Sequence, residues 1–320
     1  MAKDRSWKYV LLLTFTALIW GVAFVAQSEG SAYMRSSTFM GIRFLIAAAT
    51  LLPVICVGRR RRARAAGSAR EATDRATQRT ARRKLWQAGI ICGVFLGAAS
   101  LLQQEAIAQG AGAGKAGFIT ATYIVIVPIL NRLVFRKKAA TATWIGVAAA
   151  LAGLYLLCMK EVSMSLETSD ILLILCAFGY SLQILAIDRF APDCDAVELS
   201  AIQFLACGTM GIVLMPFADI APVGLAAWAA PMASWRAWLP LLYAAILSSA
   251  VGYTLQIVGQ KALNPTLASL LMSLESVFAA LAGWVLLRQG LSPRELTGCA
   301  LVFAAVILAQ LPGRKHGNSV

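Results

Sequence analysis

The most informative segment of this chain is "LASLLMSLESVFAALAGWVLL", Leu267 to Leu287. It holds one charged side chain, Glu275, in a run as long as the roughly 20 apolar residues that cross a bilayer core as a helix. The run lacks the strict apolar and polar alternation of an outer-membrane strand. It therefore predicts a membrane-spanning helix, and it raises the question of why a carboxyl group lies near the middle of that helix.

Similar stretches occur along the whole chain of 320 residues, which is 59% hydrophobic, 14% charged and has a mean hydropathy of +0.72. Soluble domains are about 45–50% apolar and about 25% charged. The predicted spans are residues 9–27, 38–58, 85–108, 115–135, 141–159, 169–189, 196–217, 239–260, 265–287 and 292–312. The sequence thus predicts an all-α polytopic membrane protein with ten transmembrane helices.

Positive charge is concentrated in one loop of this chain. Eleven of the 29 Lys and Arg residues lie between the second and third spans, in residues 59–84. Short basic loops stay in the cytoplasm, so the distribution of basic residues predicts cytoplasmic N and C termini. The expected location is a bacterial inner membrane. The loop could also contact anionic lipid headgroups of the bilayer. Nucleic-acid binding is not expected, because no stacking aromatics or folded module accompany the charge.

Residues 218–240 are apolar enough to suggest an eleventh span. Pro222 and Pro231 interrupt this segment. The segment also contains three tryptophans, a residue type that is enriched at membrane interfaces. We therefore predict an outer loop on the membrane surface.

The two halves of the chain are related in sequence. With a shift of 160 residues, "GIRFLIA" at Gly41 aligns with "AIQFLAC" at Ala201. After the basic loop the shift is 152 residues, and it aligns Gln104 with Gln256. A repeat of this kind defines the architecture. It divides the chain into units of residues 1–160 and 161–320, each with five spans.

An odd number of spans per unit places the two units in the membrane in opposite senses. Inverted repeats of this kind are common in secondary transporters, whose substrate site lies near the midplane between the units. Exchange of conformation between the units exchanges access from one side for access from the other. The spacing therefore predicts two inverted five-helix repeats and a transporter working by alternating access.

Several motifs carry a resemblance to a known family. "LIWGVAFV", "GIRFLIAA", "KAGFITATYIVIVPIL" and "LASLLMSLESVFAALAGWVLL" resemble the EamA type of the drug/metabolite transporter superfamily. The resemblance covers nearly the whole chain and implies ten helices in two inverted units around a central cavity. It also implies that the partner is a small-molecule substrate, and that export of amino-acid-like or other small polar compounds is the activity.

Glu275 is the first candidate for the site, because its short side chain cannot reach water from the middle of a span. A carboxyl group that faces a cavity there could exchange protons or contact substrate, since burial disfavours its charged form. The alternative is a structural glutamate hydrogen-bonded to neighbouring helices. The repeat pairs Glu275 with Tyr123, which places a carboxyl and a phenol in related positions.

Other polar or aromatic residues within spans complete the candidate set. Arg43 and Glu105 both lie toward the outer surface and could form an ion pair, or bind a charged or zwitterionic substrate between them. The amides of Gln104 and Gln256 could bind a polar solute or join helices. Trp20 lies too deep for an interfacial position, so it either lines the cavity or packs in the core.

Several function classes are excluded or disfavoured. The single histidine, His316, follows the last span, so histidine-based catalysis and histidine metal ligation in the membrane core are not expected. We expect no enzyme, cofactor or metal. The loop "QGAGAGKAG" does not match a phosphate-binding loop, so uphill transport would need a gradient, with protons as one coupling ion. The alternatives are a non-transporting sensor or scaffold and a membrane-embedded enzyme.

Overall fold

The computed structural model describes residues 2–66, 75–136, 141–159, 167–287, 290 and 292–310, and this part of the chain contains helices and no strands. The central part of the basic loop, residues 67–74, and both chain ends, Met1 and residues 311–320, lie outside the described residues. The α-helices are α1 (Ala2–Ser31), α2 (Ser36–Ala66), α3 (Arg75–Ala108), α4 (Ala113–Ala121), α5 (Tyr123–Phe135), α6 (Thr141–Cys158), α7 (Thr168–Phe190), α8 (Ala196–Met215), α9 (Leu225–Ala229), α10 (Trp235–Leu242), α11 (Thr254–Gln260), α12 (Pro265–Met272), α13 (Leu274–Leu287) and α14 (Pro293–Gln310). Two π-helical segments, Pro216–Ile220 and Tyr243–Tyr253, continue α8 and join α10 to α11.

Within the described residues, nine helical segments are long and apolar enough to cross a membrane. The fourth consists of α4 and α5, the eighth of α10, a π segment and α11, and the ninth of α12 and the first part of α13. The tenth predicted span corresponds to α14, which ends where the described residues end. The prediction of an all-α polytopic membrane protein is therefore confirmed.

The fifth helices of the two units, α6 and α14, pack antiparallel through small residues. A Cβ added at Gly153 would lie 2.8 Å from the carbonyl oxygen of Gly298, and one at Gly146 would lie 3.1 Å from that of Ala305. The order of the contacts reverses along the two helices. The repeat relates Gly146 to Gly298 and Gly153 to Ala305, so each contact is the counterpart of the other. An inverted repeat produces this arrangement, in which equivalent helices pack antiparallel through equivalent contacts. The small residues allow the two backbones to approach closely.

The second helices, α2 and α8, also run antiparallel. Gly211 would clash with the backbone of Gly41 if it carried a Cβ, and Gly208 would clash with Leu45. Helix α3 packs on the adjacent face of α8, where its glycine stripe permits close contact. The contacting pairs on α3 and α8 are Gly89 with Ile202, Gly93 with Ala206 and Gly97 with Met210. In these pairs the residue numbers rise together in steps of four on both helices, so α3 and α8 run parallel.

Ion pairs mark the two ends of the bundle. At one end, Arg59 of α2 makes a bidentate contact of 3.0 and 2.9 Å with Glu198 of α8, and Arg62 lies 3.1 Å from Asp195. We call this the basic end, because α2 and α3 enter the arginine-rich loop there. The other end is the opposite end. Lys115 at the start of α4 there lies 2.7 Å from Asp170 of α7.

The apolar segment at residues 218–240 does not form a span. It contains the short helix α9 and a single 3₁₀ turn, Ala230–Ala233, between candidate spans that end at Ile220 and begin at Trp235. Buried Asp219 accepts hydrogen bonds from the backbone N–H and the hydroxyl of Thr38, at 2.6 and 2.7 Å. The indole of Trp228 donates to the same hydroxyl at 2.8 Å. These contacts attach the segment to the start of α2 at the opposite end.

The fourth and ninth spans are both interrupted near the middle. Thr122 separates α4 from α5, and Ser273 separates α12 from α13, at almost equivalent positions of the two units. The Thr122 hydroxyl donates to the carbonyl oxygen of Ile119 at 2.6 Å, and the Ser273 hydroxyl donates to that of Leu270 at 2.8 Å. At the first break the hydroxyl is a second donor, because the carbonyl oxygen of Ile119 also accepts from the backbone N–H of Thr122 at 3.2 Å. The breaks place Tyr123 and Glu275 at the starts of the second half-helices.

Candidate functional site

A cavity lies between the two units, near the breaks in the fourth and ninth spans. Its empty space, counted out into the open solvent at its mouth, is about 460 Å³. The lining residues are Trp20, Ala23, Phe24, Gln27, Arg43, Gln103, Thr120, Tyr123, Tyr180, Gln183, Ile184, Ser248, Tyr253, Gln256, Met272 and Glu275. Helices of both units contribute, and most of the polar side chains come from positions well inside the spans.

The lining follows the sequence repeat. The equivalent lining positions are Trp20 with Tyr180, Ala23 with Gln183, Phe24 with Ile184, Thr120 with Met272 and Tyr123 with Glu275. Ten of the sixteen lining residues therefore form related pairs, which places the cavity at the pseudo-twofold axis between the units. The paired side chains differ in chemistry, so equivalent positions of the two units present unlike groups to the cavity.

Glu275 and Tyr123 meet in this cavity. The Tyr123 hydroxyl donates a hydrogen bond of 3.2 Å to Oε1 of Glu275, and Glu275 is only 5% exposed. A Cβ added at Gly21 of α1 would lie 2.7 Å from the carbonyl oxygen of Glu275, so α1 packs closely on this part of α13. The repeat thus brings a carboxyl and a phenol from two units into direct contact.

Arg43 of α2 lines the cavity and reaches the eighth span. Its Nε donates to the Ser249 hydroxyl at 2.7 Å and to the carbonyl oxygen of Ala244 at 3.2 Å. Its Nη2 donates to the Ser248 hydroxyl at 3.0 Å, and its Nη1 to the amide oxygen of Gln27 at 3.3 Å. All four partners are neutral, and they occupy three of the five N–H groups of the guanidinium. Two N–H groups remain for a ligand.

The expected ion pair between Arg43 and Glu105 is not formed, and that prediction is wrong. Glu105 accepts a hydrogen bond of 2.6 Å from the Ser36 hydroxyl and one of 3.1 Å from Gln109. Glu105 lies within one turn of the end of α3, where it is partly exposed and close to these two residues. Arg43 is buried deeper, and three of its four partners come from the eighth span, which the sequence did not connect with it.

The two equivalent glutamines have different positions. Gln256 lines the cavity and exchanges hydrogen bonds of 3.2 and 3.4 Å with Gln183 of α7. Gln104 is buried outside the cavity wall and donates to the carbonyl oxygen of Gln27 at 3.2 Å, while its own Oε1 has no hydrogen-bond partner in the described part of the chain. Only one of the two predicted amides is therefore available to a solute in the cavity.

Trp20 lines the cavity, and its ring lies 4.7 Å from that of Tyr253. Its indole N–H donates to the carbonyl oxygen of Ser248 at 3.0 Å. A Cβ on Gly252 would lie 2.6 Å from that indole nitrogen, so the absence of a side chain there permits the contact. The guanidinium carbon of Arg43 also lies 5.1 Å from the ring centre of Phe44, which is fully buried and is not one of the lining residues. The cavity therefore offers aromatic faces beside charged groups.

Sequence reasoning missed several polar lining residues. These are Gln27, Tyr180, Gln183, Ser248 and Tyr253. Tyr180 could have been found, because the repeat aligns it with Trp20. Ser248 and Tyr253 lie on the π-helical segment Tyr243–Tyr253, whose wider turn changes which residues face inward. No group of histidine, cysteine or acidic side chains in the described residues has the arrangement of a metal site.

Fold and cavity together define the class: a multi-pass membrane protein of two related helical units around a polar cavity, as in transporters. A sequence model of the EamA-like transporter family matches residues 7–159 and again residues 168–311. The chain therefore belongs to the EamA-like transporter family, and it is a membrane transporter of small molecules and not an enzyme.

Individual relatives agree with this assignment. An uncharacterized transporter of Archaeoglobus fulgidus is 27% identical over 302 residues, which cover 93% of this chain and 84% of that protein. Protein PecM of Dickeya dadantii is 39% identical over 69 residues, covering 22% of this chain and 23% of that protein. A crystal structure with 18% identity has a TM-score of 0.70, covers 95% of this chain and 98% of its own, and supports the fold alone.

Proposed function

We propose that the protein is a secondary transporter that exports small amino-acid-like metabolites across a bacterial inner membrane by alternating access. The basic end then lies in the cytoplasm together with both chain termini, because basic segments are retained there. The two units correspond to residues 1–160 and 161–320. The observation that carries the proposal is the cavity at the pseudo-twofold axis, with ten of its sixteen lining residues in related pairs.

The inverted packing supports alternating access. The contacts between α6 and α14 and those between α2 and α8 are antiparallel contacts of equivalent helices. If each unit adopts the conformation of the other, the opening moves from one end of the bundle to the other around the same central cavity. The breaks at Thr122 and Ser273 give both units a half-helix beside the cavity that can change its angle.

The charges in the cavity favour a zwitterionic solute. Arg43 has two N–H groups for a carboxylate, and its hydrogen-bond partners are neutral. Glu275 is the acidic residue among the lining residues and suits an ammonium group. Trp20 and Tyr253 provide aromatic faces for an apolar side chain. One cation and one anion on an aromatic wall match an amino-acid-like compound.

Proton coupling would use the contact between Glu275 and Tyr123. The hydrogen bond of 3.2 Å links α13 of one unit to α5 of the other. Protonation of Glu275 weakens its attraction for a substrate ammonium group, so proton entry from one side favours substrate release. This sequence of events is an antiport of proton and substrate.

Two experiments test the proposal in order. Metabolite profiling of the medium of cells with and without the protein identifies the exported compounds. The purified protein in liposomes should then exchange those compounds, with faster efflux when the outside is acidic. Ser31→Ala, which changes an exposed hydroxyl outside the cavity, is the matched control and should transport normally. Profiles that do not differ, together with liposomes that exchange none of a panel of amino acids, would reject the proposed function.

A further inference from the structure

Four glutamines form a buried cluster between the cavity and the basic end. We call Gln183, Gln203, Gln256 and Gln260 the glutamine cluster. Gln183 and Gln256 line the cavity and bond to each other, and Gln183 Nε2 also donates to Gln203 Oε1 at 3.4 Å. Gln260 follows Gln256 by one helical turn on the same face of α11. The cluster therefore extends from the cavity toward the basic end.

The amide groups of the cluster are not all satisfied by the protein. Gln260 is 3% exposed, and neither its Nε2 nor its Oε1 has a hydrogen-bond partner in the described part of the chain. Nε2 of Gln203, a fully buried residue, also has no hydrogen-bond partner in the described part of the chain. Buried polar groups are almost always hydrogen-bonded, and three orphan atoms in one cluster provide the polar partners that a buried water needs.

The end of the cluster lies close to the surface at the basic end. Gln260 is the last residue of α11, and the next residue, Lys261, is exposed. The Lys261 ammonium donates to the carbonyl oxygen of Cys194 at 2.7 Å, which joins the end of α11 to the start of α8. Gln260 is therefore buried directly beside an exposed residue at the basic end.

The sequence repeat gives two of the four cluster residues polar counterparts in the first unit, whereas Gln183 and Gln260 align with Ala23 and Ala108. Gln203 is equivalent to Arg43, and Gln256 to Gln104. Arg43 and Gln104 are joined through Gln27 on the side of the cavity toward the opposite end, and Oε1 of Gln104 is again an orphan. Polar groups that include unsatisfied amides therefore lie on both sides of the cavity. A solute that reaches the cavity from either end would need such groups on both sides.

We infer that the glutamine cluster is a hydrated half-path that connects the central cavity to the basic end and passes polar solutes by hydrogen bonds to neutral amides. The identity of what passes rests on the proposed transport function, whereas hydration of the cluster does not. A dry cluster that only joins helices is the competing explanation. It would leave the orphan amides without any partner in the membrane interior, which is costly.

Thiol labelling of the protein in membrane vesicles tests the half-path. In a background without the seven native cysteines, Gln260→Cys should react with a charged, membrane-impermeant methanethiosulfonate at least tenfold faster than Ile257→Cys. Ile257 is the matched control, because it lies on the same helix and is fully buried among apolar residues. Labelling should occur from the side on which trypsin cleaves the arginine-rich loop. Equal rates for the two variants, or labelling from the other side alone, would overturn the inference.

A second measurement does not depend on the cysteine-free background. Gln260→Leu in the native protein is expected to lower the unfolding temperature, because bound water loses its partners. An unchanged or raised unfolding temperature would show that the cluster is dry, since removing an unsatisfied amide is then neutral or stabilising. Neither measurement requires substrate. Labelling can therefore fail while liposomes still transport, and transport can fail while labelling succeeds.

Discussion

Replacing Arg43 with methionine separates a functional role of this cation from a structural one. The guanidinium makes four hydrogen bonds to neutral groups, yet it is buried at 4% exposure without a carboxylate among the described residues close enough for an ion pair. Desolvation of such a charge costs several kcal/mol, and relief of that cost in Arg43→Met offsets much of the loss of its four hydrogen bonds. We therefore expect Arg43→Met to change the free energy of unfolding by less than about 2 kcal/mol.

Ligand binding should respond much more strongly. A carboxylate that accepts from the two remaining N–H groups forms charge-assisted hydrogen bonds worth about 1.5–3 kcal/mol each. Loss of about 3 kcal/mol corresponds to an affinity roughly 100-fold lower, since each 1.4 kcal/mol is a factor of ten. Arg43→Lys keeps the charge but not the planar fork, so its affinity should fall between those of Arg43→Met and the native protein.

Both quantities can be measured on the same purified protein. Denaturant unfolding reports stability, and calorimetric titration with a panel of L-amino acids reports affinity. If Arg43→Met costs about 4 kcal/mol or more of stability and leaves the affinity unchanged, Arg43 is a structural link between α2 and the eighth span. The substrate role would then be refuted.

Three further substitutions test other parts of the structure. Glu275→Gln should abolish the stimulation of efflux by a pH gradient in liposomes, whereas Tyr123→Phe should slow efflux and keep the stimulation; a gradient effect that persists in Glu275→Gln contradicts the coupling role. Gly153→Ala places a Cβ 2.8 Å from a backbone oxygen of α14 and should lower the free energy of unfolding by about 1–3 kcal/mol, as measured with denaturant. In the control Gly112→Ala, the new Cβ has nothing within 4 Å, and the free energy of unfolding should change by less than about 0.5 kcal/mol. Equal changes in the two variants would contradict the close packing. Gly252→Ala displaces the Trp20 indole from the Ser248 carbonyl and should lower amino-acid affinity about tenfold by titration; native affinity would show that Trp20 does not position the ligand.

The fold could be predicted from the sequence because a bilayer imposes a strong rule. Each span must be long, apolar and helical, so the ten spans could be predicted from hydropathy. Apart from the helices that extend into basic segments, the helix ends lie within a few residues of the predicted ends. The repeat then aligned Tyr123 with Glu275 across the two units. That alignment places both residues near the same axis, and the structure brings them into contact at 3.2 Å.

Contacts between side chains could not be predicted in the same way. The π-helical segment Tyr243–Tyr253 changes which residues of the eighth span face inward, and no local sequence pattern predicted this segment. Ser248 and Ser249 therefore became the partners of Arg43, where the sequence suggested Glu105. Depth along a helix is readable from sequence position, whereas the rotation of one helix against another depends on packing of the whole bundle.

The unlike chemistry of the two halves has a consequence for transport measured from the two sides. If the glutamine cluster is the inferred half-path, a solute entering from the basic end first meets neutral amides, including Gln203, whereas one entering from the opposite end first meets Arg43, the counterpart of Gln203. A carboxylate should therefore half-saturate transport at a lower concentration from the opposite end. Arg43→Gln gives the first unit the residue type that the second has at Gln203, so the two half-saturation constants should converge. Equal constants in the native protein, measured in liposomes of one orientation, would mean that Arg43 does not face the path, because an inverted repeat exchanges access between its ends and leaves the side chains where they are.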